Sequence, residues 1–322
     1  MYDGFPDDLR ALCFKVDEGI YQVQYVSSTD LDELLRAYAL PWRRDVSITE
    51  VENDKKRFPL NRIRYSSAET PIDLDSLSIY NSKRVLAASL FADVSGFTRY
   101  IDAATSEEDQ QTALRVFHAI RKETARVIKG DFNGLRIQYQ GDRIQGLFHL
   151  PQDDAGALVK KAVEAAAGLQ ASMEHTLKAC LPEAGDLHLA IGIDLGTTLV
   201  SRLGARGQRD RICLGAAVEN AARLEEQSEG GQVGVSREVF SLLPDDLQLC
   251  FTYSAKARGY IATHFTTEQI ERVEKATRIY GAGAPAFVHA GATGVTISSQ
   301  ESTDARTIIP ARPYADKAEG MV

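Results

Sequence analysis

Leu90-Phe-Ala-Asp-Val-Ser-Gly-Phe-Thr98 and Gln138-Tyr-Gln-Gly-Asp-Arg-Ile-Gln-Gly-Leu-Phe148 each set one aspartate at the edge of an apolar, strand-like run. Residues 85–92 are almost continuously apolar, as a central strand is, and Asp93 ends that run. Leu135, Ile137 and Tyr139 alternate with polar residues, Gly141-Asp142 turns the chain, and Ile144 and Phe148 continue it. That pattern predicts a hairpin with an acid at its tip. If the two strands are neighbours, the carboxylates of Asp93 and Asp142 converge on a hard oxygen site suited to Mg²⁺ or Mn²⁺, the kind that serves phosphoryl chemistry.

The flanking segments predict a mixed α/β sandwich. Thr105 or Ser106, followed by Glu108 and Asp109, caps a helix reaching about Lys129, with Leu114, Phe117, Ile120, Ala125 and Ile128 as its inner stripe. Residues 157–177 predict a second long helix, and residues 187–195 a strand closed by Gly196. A helix over about 217–227 stops at Gly230-Gly231, a short strand follows at 233–235, and Ser236 caps the next segment. Residues 251–263 add one or two closing strands. The order strand, helix, hairpin, helix, strand, helix, strand packs helices over a sheet.

Outside this block the sequence is less ordered. Residues 31–40 predict a short helix ended by Pro41, residues 47–65 a strand pair or sheet-like appendage, and residues 70–75 a linker. After about Arg278 the composition turns to Gly, Ala, Ser and Thr without core periodicity. The expected organisation is an N-terminal extension over 1–80, one catalytic domain over 85–275 and a partly flexible C-terminal tail over 276–322.

Composition excludes some classes. The 322 residues are 44% apolar and carry 37 basic against 45 acidic side chains, a net charge of -8. General nucleic-acid binding needs a basic face and is not expected. Cys13, Cys180, Cys213 and Cys250 lack CxxC or zinc spacing and read as reduced, mostly buried small residues. With neither a signal pattern nor a membrane-length apolar run, the expectation is a cytoplasmic protein without a membrane partner. The six histidines show no HExxH or two-plus-one spacing, and no GxxxxGK loop is present.

Taken together, the motifs resemble the catalytic domain of class III nucleotidyl cyclases, the adenylate and guanylate cyclase superfamily. Residues 91–98 look like its first metal motif and Gly141-Asp142 like its second. Ala190-Ile-Gly-Ile-Asp-Leu-Gly196 resembles the strand before the last part of the active site. Gly215-Ala-Ala-Val-Glu-Asn-Ala-Ala-Arg-Leu224 resembles the helix that carries transition-state residues. The four motifs run in family order over roughly 85–265.

That resemblance implies a ferredoxin-like α/β domain acting as a head-to-tail homodimer with active sites at the interface. Asp93, Val94 and Asp142 would contact two divalent ions, Mn²⁺ or Mg²⁺, and Arg223 of the second subunit would face the phosphates. Val94, Ser95, Gly96, Phe97 and Thr98 would cradle the β- and γ-phosphates with backbone amides. The implied reaction is attack of the ribose 3′-oxygen on the α-phosphorus, giving a 3′,5′-cyclic nucleotide and pyrophosphate.

The chain departs from the purine cyclase pattern where the base is read. Gln138 replaces the lysine or glutamate, and Ile212 the polar partner, with Asp210 close by. Glu219 stands at the family asparagine beside Asn220, and a one-residue slip cannot substitute because neighbours on a helix point about 100° apart. Gln138 offers both an NH₂ and a carbonyl for the edge of uracil or cytosine, with Arg136, Tyr139 and Arg143 nearby. The resemblance is therefore to the bacterial pyrimidine cyclases of anti-phage defence, whose product is read by a separate effector protein. UTP is the expected substrate. CTP, a purine triphosphate, or a degenerate domain that binds nucleotide without turnover are the alternatives.

Overall fold

The computed structural model describes residues 9–17, 20–27, 44–205 and 207–280. The chain divides into two compact units, Met1–Ile63 and Arg64–Val322.

The first unit holds an antiparallel hairpin of β1 (Leu9–Asp17) and β2 (Ile20–Ser27) and the helix α1 (Arg44–Arg57). The helix corrects the expected strand pair over 47–65. Val51, Phe58, Leu60 and Ile63 among many charges suggested a sheet, but the first three are exposed and Ile63 is only half-buried. The segment is polar on every side, with Glu52 3.9 Å from Lys56 one turn on, so it forms a helix that does not need a buried stripe. The helix expected over 31–40 and the tail beyond 280 lie outside the described residues.

The second unit is built on a nine-stranded sheet of order β10-β11-β9-β7-β4-β6-β5, with β3 (Tyr65–Ser66) beside β4 and β8 beside β7. Strand β4 (Ser82–Ser95) leads to the short helix α2 (Phe97–Ala103) and the long helix α3 (Glu107–Arg126). The hairpin of β5 (Leu135–Gln140) and β6 (Arg143–Phe148) follows, then α4 (Ala155–Ala171) and β7 (His188–Leu203). These elements give the antiparallel arrangement β7-β4-β6-β5, the centre of the sheet under helices that the order of segments predicted. Strand β8 (Asp210–Leu214), helix α5 (Ala216–Glu226) and strand β9 (Gln232–Val235) extend it, with β9 parallel to β7. Helices α6 (Arg237–Leu242) and α7 (Asp245–Gln248), strands β10 (Thr252–Ser254) and β11 (Gly259–Thr263), and helix α8 (Thr267–Tyr280) complete the unit.

Alternation along β4 assigns its two faces. Ala88, Leu90, Ala92 and Val94 point into a core shared with Val116 and Ile120 of α3 and with Leu158, Ala162 and Leu169 of α4. Val85, Ala87 and Phe91 point the other way, into a second core with Leu147, Val218 and Ala221. The segment read as a linker supplies Ile72 to that second core, and Ala68 and Leu77 flank it there. It is therefore packed wall as well as connection.

Two expectations need correcting, and one element was not foreseen. Helix α3 buries Ala113, Val116, Ile120 and Thr124; of the expected stripe Ile120, and Ile128 just beyond the helix, are buried, Phe117 and Ala125 only in part, and Leu114 is 67% exposed. Its N-terminus is as expected, a capping box between Ser106 and Asp109. Strand β7 does not close at Gly196 but runs on to Leu203. A glycine there admits Ala217 of the crossing helix, whose Cβ would stand 3.0 Å from an added methyl group. Helix α8 had no predicted counterpart, and it buries Ile270 and Val273.

Gly192 of β7 fixes how closely α5 can approach. A Cβ at that position would lie 2.1 Å from the Ala221 carbonyl oxygen and 2.2 Å from the Glu225 nitrogen. Only glycine lets the helix backbone rest directly on the strand.

Candidate active site

Asp93 lies near the C-terminal end of β4, opposite Ala190 of β7. On its other side β4 pairs antiparallel with β6 through Ala92 and Ile144. That register carries the turn before β6 to the flank of Asp93. The turn is Gly141-Asp142, closed by the pair Gln140 and Arg143, with Gly141 at φ +65°. Left-handed backbone of this kind is what glycine supplies in a two-residue hairpin. Asp142 therefore projects from the tip.

Both aspartates line one cleft of about 420 Å³, together with residues 94–99. Burial and the neighbouring charge of Asp142 push the Asp93 carboxyl above the ordinary aspartate range, against the pull of Arg143 and the Val94 N–H. Two acids share the cleft, and the Asp93 side chain has no ion-pair partner within 4 Å among the described residues. Such charge is relieved by a cation. No cluster of three or more His, Cys, Asp or Glu side chains gathers among the described residues. The groups here that could hold a hard cation such as Mg²⁺ or Mn²⁺ are thus the two carboxylates of Asp93 and Asp142, an incomplete set that other oxygen donors would have to complete.

A second cleft of about 400 Å³ also includes Asp93 and is lined by Ser95, Gln140, Arg143, Glu225, Glu226 and Ser228. Arg143 pairs there with the buried Glu225 and, at 3.2 Å, with Glu226 of α5. Its guanidinium carbon is 5.4 Å from the centre of the Phe91 ring. Burial pushes the Glu225 carboxyl up to about 7, with Arg143 opposing the rise.

The hairpin tip is held from α3. Arg121 donates 3.0 Å to the Gly141 carbonyl, its guanidinium lies 3.8 Å from the centre of the Tyr139 ring, and the Tyr139 hydroxyl donates to the Arg121 carbonyl. These contacts fix the turn that carries Asp142. Arg121 was not among the residues singled out in the sequence, because nothing within the helix marks it.

The structure brings together Asp93, Val94, Ser95, Gly96, Phe97, Thr98 and Asp142. Gln138, Ile212, Glu219 and Arg223 line neither cleft. Gln138 is half-buried on β5, where its amide nitrogen donates to Gln145 Oε1 at 3.4 Å. Ile212 sits on β8 opposite Ser201, and β8 lies against β5. Glu219 is exposed on α5, and Arg223 on the same helix donates 2.7 Å to the Ala257 carbonyl. Glu225 was missed, although a signal existed: with Val218 and Ala221 it falls at i, i+3 and i+7, so a carboxylate stands on the buried face.

Residues 80–269 match the adenylate and guanylate cyclase catalytic domain, and the chain belongs to that family. A uridylate cyclase of Pseudomonas aeruginosa is 33% identical over 223 residues, 66% of this chain and 43% of that protein. A uridylate cyclase of Rhizobium sp. is 33% identical over 177 residues, 53% of this chain and 32% of that protein. The chain thus spans less than half the length of these two relatives. A solved structure described as a class III adenylyl cyclase-like ATP-binding protein from Pseudomonas aeruginosa superimposes with a TM-score of 0.66 at 27% identity. That alignment covers 77% of this chain and 53% of the solved one.

Proposed function

We propose that this chain is a nucleotidyl cyclase that converts UTP to 3′,5′-cyclic UMP and pyrophosphate. The observation that carries the reading is the meeting of Asp93 and Asp142 in one cleft lined also by residues 94–99. The relatives at 33% identity, both uridylate cyclases, favour the pyrimidine branch.

In this reading Asp93, Asp142 and the Val94 carbonyl would hold two divalent ions, Mg²⁺ or Mn²⁺. When bound, such ions lower the pKa of the ribose 3′-hydroxyl and neutralise the leaving pyrophosphate. The chain's own part is to place the groups. The 3′-hydroxyl gives its proton to solvent water and its oxygen bonds to the α-phosphorus, while the bond from that phosphorus to the bridging oxygen of the β-phosphate breaks and pyrophosphate leaves. Backbone N–H groups between Val94 and Thr98 orient the outer phosphates, with Gly96 keeping the approach open. Arg223, Gln138, Ile212 and Glu219 serve the site from a second copy of the chain, which agrees with their lying outside the Asp93 clefts of their own copy. Gln138 then reads the pyrimidine edge with its amide, and Arg223 faces the phosphates. The product acts as a second messenger in anti-phage defence, read by a separate effector protein.

Two observations favour a second reading, a nucleotide-binding domain without turnover or with a purine. Arg223 is engaged by the Ala257 carbonyl, and the solved relative at 27% identity is described as ATP-binding. Incubating the protein with each of the four ribonucleoside triphosphates and Mn²⁺, with products read by mass spectrometry, separates these readings. Cyclic UMP that disappears in Asp93→Ala is the expected result. A purine product would overturn the base assignment alone, and binding without any cyclic product would overturn the enzyme.

A further inference from the structure

Arg143 follows Asp142 directly in sequence and lines the same cleft as Asp93. A guanidinium in that position is the natural counter-ion for an aspartate, and a divalent cation would have to compete with it. Yet Arg143 forms its ion pairs with Glu225 and Glu226, and none with Asp93. Glu225 is almost wholly buried, so its carboxylate is costly unless paired, and it cannot swing away into water. The Phe91 ring flanks the guanidinium, and Glu226, 59% exposed, holds it from the solvent side. Because the Gly192 contact seats α5 on β7 at the level of Glu225, the two glutamates sit on a fixed support.

We infer that Glu225, assisted by Glu226, is a positioning residue that withholds the Arg143 guanidinium from Asp93 and so leaves both aspartates free for a divalent cation. The inference rests on the reading of Asp93 and Asp142 as metal ligands. Glu225 → Gln keeps the shape and removes the charge that retains Arg143. The guanidinium then turns to Asp93, closing the cation site by occupying one ligand and by repulsion.

The test is Mn²⁺ binding to the full chain without nucleotide, followed by the paramagnetic resonance signal of free Mn²⁺. Glu225→Gln is expected to weaken binding about tenfold, and Glu226→Gln about two- to threefold, since the latter charge is exposed to solvent. Adding Arg143→Gln to Glu225→Gln is expected to restore binding to within about threefold of the unmodified protein, because the competitor is gone. A merely structural role for Glu225 would leave the double variant as weak as the single one, or weaker, and that outcome overturns the inference. Unchanged binding in Glu225→Gln and Glu226→Gln overturns it too, while Asp93→Asn still abolishing binding would leave the metal reading intact. If Asp93→Asn binds Mn²⁺ like the unmodified protein, the metal reading falls and this inference with it. Should Glu225→Gln fail to fold, the Glu226→Gln shift and its reversal by Arg143→Gln decide alone.

Discussion

The two faces of strand β4 are made from the same fourteen residues and do opposite things. One face carries Ala88, Leu90, Ala92 and Val94, all buried against α3 and α4 without a polar atom among their side chains. The other mixes Ala87 and Phe91 of the second core with Ser89 and Asp93, and its strand neighbours add Gln145 and Asp194. A side-chain period of two lets one strand serve both faces. The apolar face has a single job, burying area, and its stability does not depend on charge. The polar face exposes Asp93 only where the sheet runs out, so chemistry is confined to the strand's end while the middle stays dry.

The largest effect that separates the faces is expected at the hairpin tip. Asp142→Asn keeps the turn, since the tip is held through the Gly141 carbonyl by Arg121 and not through the Asp142 side chain. Cyclisation should fall by roughly a thousandfold or more, as when one part of a charge-stabilising site is removed. The urea midpoint should stay in place or rise. A loss of activity that tracks loss of stability would mean that the tip serves the fold and that the two faces are not separable.

On the apolar face the expected pattern inverts. Leu90 is fully buried between α3 and α4, so Leu90→Ala should cost about 2–5 kcal/mol in equilibrium unfolding, the transfer term plus the cavity left behind. Whatever molecules remain folded should keep their affinity for Mn²⁺, because Leu90 touches neither cleft. A shift in Mn²⁺ affinity at constant folded fraction would show that core packing sets the separation of the two aspartates.

The sequence made this division partly legible, for physical reasons that differ from place to place. An acid at the end of an apolar run, and a second one at a glycine turn, are local signals, and the structure brings Asp93 and Asp142 into one cleft. The capping box at Ser106 is equally local and equally readable. Helix phase is weaker: Leu114 looked like core but points to solvent, because Ala113 and Val116 let α3 sit closer to the sheet than a row of large side chains would allow. Contacts that join distant segments left no trace. Arg121 reaches Gly141 across 20 positions, and Arg143 reaches Glu226 across 83. Residues 47–65 misled because Val51, Phe58 and Leu60, set among charges, look like the apolar face of a sheet, yet all three are exposed.

The smallest effect probes the dry middle of the polar face. Ser89 is wholly buried opposite Asp194, and its hydroxyl has no hydrogen-bond partner in the described structure, nor does the buried Gln145 amide nitrogen on the neighbouring strand. An unpaired buried hydroxyl contributes desolvation cost and no compensating bond. Ser89→Ala should therefore leave stability unchanged or raise it by up to about 1 kcal/mol in equilibrium unfolding. Mn²⁺ binding should not move, since Asp93 lies two side chains further along the same face. A stability loss beyond about 1 kcal/mol would instead mean that the hydroxyl is paired, with Asp194 or with an ordered water. The polar face would then be a connected network from Asp194 towards Asp93, and the sheet's interior would take part in holding the site.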